Sequence, residues 1–231
     1  KAGFRVAIAE QTESPAAAKA RGSKSIVSRG IVRVVTAGTL TEEALLESRS
    51  ANWLVALAPV GDEIGIAATD ISTGRFETCR APLHGVNAEL ARLGPSEIVS
   101  PEGAGFDGTQ RPRGEFLAGD GERRLKAQFG VATLDGFGQF SKAELAACAG
   151  LLAYLDHVGK GALPFLAPPV RLEASDHMLI DAATRESLEL VRASGGTRSG
   201  SLLDIVDRTV TGAGARLLAA AGTAGALGRR L

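Results

Sequence analysis

The apolar positions of this chain fall into short runs in its first half and into helical spacing further on. Residues 4–9 (FRVAIA) and 31–36 (IVRVVT) read as strands, and between them Ser14 caps a short helix that Pro15 opens. Thr39 and Glu42 have the spacing of a capping box and predict a helix over TEEALLE (41–47). Three strand-like runs follow: NWLVALA (52–58), EIGIAATDIS (63–72) and RFETCRA (75–81). Their short Gly-bearing connections predict antiparallel hairpins. HGVNAELARLG (84–94) predicts a helix with Val86, Leu90 and Leu93 on one face, stopped by Gly94-Pro95, and EIVS (97–100) a brief buried strand.

Residues 101–119 are rich in Gly and Pro and read as loop. GERRLKAQFG (121–130) reads as a helix with Leu125 and Phe129 toward the core. Ser141 and Glu144 make a second capping box. The helix it opens carries Leu145, Cys148, Leu152 and Leu155 at 3–4 spacing, with Gly159 just past its end. Three prolines in ALPFLAPPV (162–170) mark a domain boundary, beyond which residues 181–191, 201–206 and 211–220 have a helical pattern broken at Gly195-Gly196. The whole is an α/β chain with a mixed sheet. Three antiparallel strands, a helix and a further strand is the order in which ribonuclease-H-like sheets begin.

At 231 residues, 45% hydrophobic and 23% charged, the chain is ordinary globular material rather than disordered. Its zero net charge means that nucleic-acid affinity has to come from a local patch. Such a patch is available: from Ser14 to Thr41 there is no acid, while Lys19, Arg21, Lys24, Arg29 and Arg33 all fall there. These five side chains either contact DNA phosphates, which would position the protein without reading sequence, or form a solvated surface. Cys79 and Cys148 stand apart without a CxxC or a Cys/His cluster, which argues against structural zinc or a disulfide framework and fits a cytoplasmic protein. No apolar run reaches the roughly 20 residues of a membrane span, so no membrane partner is expected.

The chemical motifs are weak. GAGFDG (103–108) has the GxGxxG spacing, but TQRPRGEF follows in place of the helix whose N-terminus would face a pyrophosphate, so it reads as loop. Gly159-Lys160-Gly161 lacks the Ser or Thr of a P-loop and reads as a helix end. His84, His157 and His177 are isolated. Asp70, in DISTGRF (70–76), is the carboxylate that would serve a two-metal ribonuclease-H-type nuclease, yet the first strand of the sheet has no acid and the fourth has only Glu97, at its start. Asp70 is therefore expected to hold the hairpin by accepting hydrogen bonds from turn amides.

Several motifs, in order, are similar to those of the MutS family of DNA mismatch-recognition proteins: VAIAEQ (6–11), IVRVVTAGTLTEEALLE (31–47), DISTGRF, ALPFL (162–166), DAATRESLEL (181–190) and GSLLDIVDRTVTGAGARLL (200–218). The resemblance implies three parts. Residues 1–33 are the end of a mismatch-binding domain, 34–166 a ribonuclease-H-like connector without nuclease function, and 167–231 the start of an all-α core domain. It further implies that the family's Phe-x-Glu wedge and Walker motifs lie outside this stretch. The chain then holds no catalytic residue and no cofactor of its own, while the full-length parent uses ATP and magnesium, forms a homodimer, binds mismatched double-stranded DNA and receives MutL. The connector is the family's docking platform, and Arg123 and Arg124 beside Leu125 are the candidate dock. Ala9, Ala37 and Ser187 depart from the residues usual in the family, and after Leu218 the Ala/Gly-rich tail departs altogether, as a reading-frame change near Ala219 would produce. A metal-dependent ribonuclease-H-type nuclease is the rival expectation.

Overall fold

The apolar runs at 52–81 form the meander their spacing predicts, and it is the centre of the molecule. The computed structural model describes residues 4–22, 25–42, 45–47, 49–172 and 180–223. Strands β1 (Val6–Gln11) and β2 (Arg29–Val35) make an antiparallel pair, with α1 (Pro15–Arg21) in their connection. Strands β3 (Leu54–Val60), β4 (Glu63–Asp70) and β5 (Arg75–Pro82) pair antiparallel in succession. Helix α2 (Val86–Leu93) then leads into β6 (Glu97–Pro101), which lies parallel to β3. Strand β7 (Thr109–Arg111) adds to the β6 edge and β8 (Val170–Arg171) to the β5 edge. The six-stranded order is β7-β6-β3-β4-β5-β8, a mixed sheet.

Side-chain alternation along β3 explains its unbroken apolar sequence. Leu54, Ala56 and Ala58 face one core, and Trp53, Val55 and Leu57 face the other. A strand covered on both sides needs no polar face. The first core is filled by α4 (Lys142–Gly159), itself backed by α3 (Ala118–Phe129), and the second by α2. Helix α4 is buried along most of its length, Cys148, Leu151, Leu152 and Leu155 included. Its Ser141–Glu144 capping box forms as the spacing predicts. Glycines set how closely α4 approaches. A Cβ on Gly65 would sit 1.8 Å from the Ala143 carbonyl oxygen, and one on Gly121 1.9 Å from that of Leu145.

Four sequence expectations are corrected. The capping box near 39 is formed by Thr36 and Thr39 around a 3₁₀ turn, Ala37–Thr39, and the described residues of 41–47 are not α-helical. Glu42 is diverted instead, accepting from the Thr41 amide and pairing with Arg33. The stretch 101–119 contains β7, which has no apolar period of its own and exists because β6 offers it an edge. Helix α4 runs through Gly159 and is closed by Lys160 in the left-handed conformation. The helix expected over 181–191 is confined to α5 (Ala182–Ser187); α6 (Leu202–Val206) and α7 (Gly212–Thr223) follow it.

Three buried protons make the fold sensitive to alkali. Burial, with the charge of Glu89, pushes the Cys79 thiol from 9.0 up to about 12. Burial likewise raises Cys148. Burial and a bond to Glu97 push the Tyr154 phenol from 10.0 up to about 12. Each group is protonated in the native state at a pH where the unfolded chain has already released the proton. Their contribution is complete below pH 9 and is lost as pH rises toward 12. Urea midpoints should fall steadily from pH 9 to pH 11, and Cys148→Ala should flatten that decline. An unchanged slope would mean that these groups do not govern it.

Candidate functional site

Two joints connect the central sheet to what precedes and follows it. The first is built on Glu97. Pro95 and the end of α2 place this carboxylate at the start of β6. Its Oε2 accepts the Thr36 hydroxyl and, at 3.1 Å, the Gly38 amide, both from the turn just after β2. Its Oε1 accepts the Thr109 hydroxyl of β7 at 3.0 Å and the Tyr154 hydroxyl of α4 at 2.6 Å. Thr36 is in turn held by Thr39, and Thr109 accepts from Arg5 at 2.8 Å. One carboxylate thus ties the β1–β2 hairpin to a strand and a helix of the main sheet. Sequence reasoning met Glu97 only as an acid without metal-binding partners, because its donors lie 12 to 61 residues away.

The second joint faces the helical segment. Asp207 accepts from the Thr209 amide and hydroxyl and pairs with Arg49 and Arg198. Those hydrogen bonds, followed by the two guanidiniums, hold its pKa down to about 2. Just ahead of β3, Asn52 donates to the Ala37 carbonyl at 2.9 Å and accepts the Ser96 hydroxyl at 2.7 Å. A cavity of about 460 Å³ opens between the start of β3, the end of α2, α5, the loop at 191–196 and α7. Arg75, Arg92, Arg185, Arg192 and Arg216 line it, with Glu47 and Glu186. Arg75 stacks on Trp53, its carbon Cζ 5.1 Å from the ring centre. Arg92 bonds Glu89 at 2.8 Å and lies 3.6 Å from Glu77.

Asp70 is fully buried and fixes the hairpin turn as expected. Its Oδ1 accepts the Ser72 amide and hydroxyl, and its Oδ2 the Asn52 amide. Asp70 and Glu97 both engage their oxygens in hydrogen bonds within the fold, an arrangement that does not favour the nuclease reading. Among the described residues no group of three or more His, Cys, Asp or Glu is placed to hold a metal ion.

The five basic candidates are only partly assembled. Lys19 and Arg21 share the last turn of α1, whereas Arg29 and Arg33, both on β2, are separated by a register shift that pairs them with Gln11 and Ile8 on opposite faces of the hairpin; Lys24 lies outside the described residues, as does His177. The acids that flank the acid-free run fold back onto it: Glu13 pairs with Arg21 and Glu42 with Arg33. In the candidate dock, Leu125 belongs to the core and fixes the register of α3. Arg123 is exposed and bonded to Asp120 at 2.7 Å, and Arg124 is half-buried. Among the described residues, no helix is long and apolar enough to cross a membrane.

Comparison with known proteins agrees over nearly the whole chain. Residues 1–44 match the family model for MutS domain I, and residues 52–166 that for MutS domain II. The DNA mismatch repair protein MutS of Zymomonas mobilis is 57% identical, the match covering 95% of this chain and 26% of that protein. The protein of the same name from Erythrobacter litoralis is also 57% identical, with the same coverage. That of Paracoccus denitrificans is 52% identical over 94% of this chain and 26% of its own length. The chain spans about a quarter of the length of these relatives.

Proposed function

The chain belongs to the MutS family of DNA mismatch repair proteins, and we propose that it is the part that relays conformational change between mismatch recognition and the rest of the protein. The observation that carries this reading is the Glu97 joint. A hairpin belonging to the region matched by domain I is hydrogen-bonded, through one carboxylate, to a strand and a helix of the region matched by domain II. A displacement of the hairpin has to break those bonds or move the sheet. The strand order, a three-strand antiparallel meander extended by two parallel strands on the β3 side, supports a ribonuclease-H-like connector.

By the same reading, the full-length parent is a cytoplasmic, homodimeric ATPase that uses magnesium, binds mismatched duplex DNA and receives MutL on the connector. Residues 1–33, 34–166 and 167–231 are then the end of the mismatch-binding domain, the connector and the start of the helical core. The exposed arginine of α3 is the docking candidate, since arginine anchors dominate many interfaces. In the full-length parent, Arg123→Glu with Arg124→Glu should weaken MutL capture about tenfold, the effect of losing ~1.4 kcal/mol at an interface. Mismatch binding should be unaffected. Unchanged capture would remove α3 as the dock.

Direct DNA binding by this chain should be weak and non-specific. With Arg21 and Arg33 paired to acids, few charges are left to displace counterions. Glu13→Gln with Glu42→Gln should therefore tighten duplex binding at low salt and steepen its salt dependence by about one to two in log–log slope. A slope that does not change would mean that the α1–β2 face does not touch phosphate.

A further inference from the structure

The cleft between α2 and the helical segment is used neither by the Glu97 joint nor by the candidate dock, and its chemistry is specific. Its five arginines come from β5, α2, α5, the 191–196 loop and α7. They outnumber the carboxylates of its lining, Glu47 and Glu186, and still exceed them when Glu89, paired with Arg92, and Glu77, paired with both Arg75 and Arg92, are counted. Two of the five are withdrawn from water: the Arg92 side chain is 10% exposed and Arg185 is 9% exposed. At about 460 Å³ the space falls in the range of small-molecule sites and is too small for a duplex. Guanidinium forks match the oxygens of phosphate in pairs, which is why arginine is the residue used where such groups are bound without a metal.

We propose that this cleft binds a small phosphate-bearing anion of up to nucleotide size, held between Arg92 on the sheet side and Arg185 and Arg192 on the helical side. The anion would bridge elements from opposite sides of the second joint and so favour the arrangement in which α5 and α7 lie against α2. The electrostatics agree with that placement. Burial, and then the charge of Arg92, lower the pKa of Arg185 against the opposing pull of Glu89, which places the two guanidiniums within electrostatic reach of one another in the cleft. The inference stands apart from the relay proposal and does not depend on it.

The test is titration of the 231-residue chain with inorganic pyrophosphate at constant ionic strength, followed by calorimetry and thermal unfolding. One saturable site is expected, with a rise in unfolding temperature that follows ligand concentration by mass action. Adenosine monophosphate is the second arm. Tighter binding than inorganic phosphate would assign the site to a nucleotide, and equal binding would assign it to the phosphate group alone. Arg185→Gln should weaken pyrophosphate binding about tenfold or more. Arg192→Gln, exposed and remote from the packed core, should weaken it several-fold without altering the unfolding temperature of the free chain. Arg123→Gln should change nothing. Non-saturating heats equal to those of chloride, or an affinity untouched in both the Arg185 and Arg192 variants, would overturn the proposal.

Discussion

Gly65→Ala should remove about 3 kcal/mol or more of stability from the central sheet, the largest loss expected of an added methyl at any described glycine. Gly65 lies on β4 where the first turn of α4 crosses it, and an added Cβ would stand 1.8 Å from the carbonyl oxygen of Ala143 and 2.2 Å from its carbonyl carbon. Those are backbone atoms. No rotamer change relieves them, so the helix has to lift off the sheet and lose contacts from Cys148, Leu151 and Leu152. Gly61→Ala is the internal control. It occupies the tip of the β3–β4 turn with φ +61 and nothing within 4 Å of the added methyl, so it meets only backbone strain, worth about 1 kcal/mol. Trp53, the only tryptophan and buried against the second core, reports sheet unfolding directly. Urea midpoints read by its fluorescence should fall far more for Gly65→Ala than for Gly61→Ala. Equal losses would show that the helix–sheet approach is not limiting.

The sheet meander could be read from the sequence because its information is local: apolar runs of strand length, turn residues between them, and a capping box that opens α4. What could not be read is where tertiary contacts overrule local preference. TEEALLE has good helix formers, yet Glu42 binds Arg33 across the chain and the cap passes to Thr36 and Thr39. Strand β7 is three residues of TQR, ordered by an edge that β6 provides. The basic run looked unopposed only because Glu13 and Glu42 stand one residue outside it at either end. The Glu97 joint had faint signals, an acid at the head of an apolar strand and the chain's one tyrosine inside an Ala/Leu-rich helix. Neither signal says that the two will meet.

Glu97→Ala carries the relay proposal into an experiment. The substitution strands the hydroxyls of Thr36, Thr109 and Tyr154 and the Gly38 amide, all of which now share one carboxylate. Leaving such donors unsatisfied in a buried setting costs about 3 kcal/mol even if some reorient to other acceptors. The loss should not be uniform. Strands β4 and β5 are held by pairing on both sides and by both cores, whereas β1 is exposed along most of its length and the hairpin meets the main sheet through this joint, the Arg5–Thr109 bond and the packing of Val34. Amide exchange should therefore accelerate by about a hundredfold across residues 29–39 and much less in β4, as expected of a sub-global opening. Glu97→Gln tests the geometry, since one amide oxygen still accepts two bonds while the amide nitrogen cannot accept the other two, so its effect should fall between wild type and alanine. In the full-length parent, Glu97→Ala should retain mismatched-duplex binding and lose most of the dependence of ATP turnover on the mismatch. Exchange that rises equally in both segments, with turnover still mismatch-dependent, would make Glu97 an ordinary stabilising residue and leave the relay without its coupling.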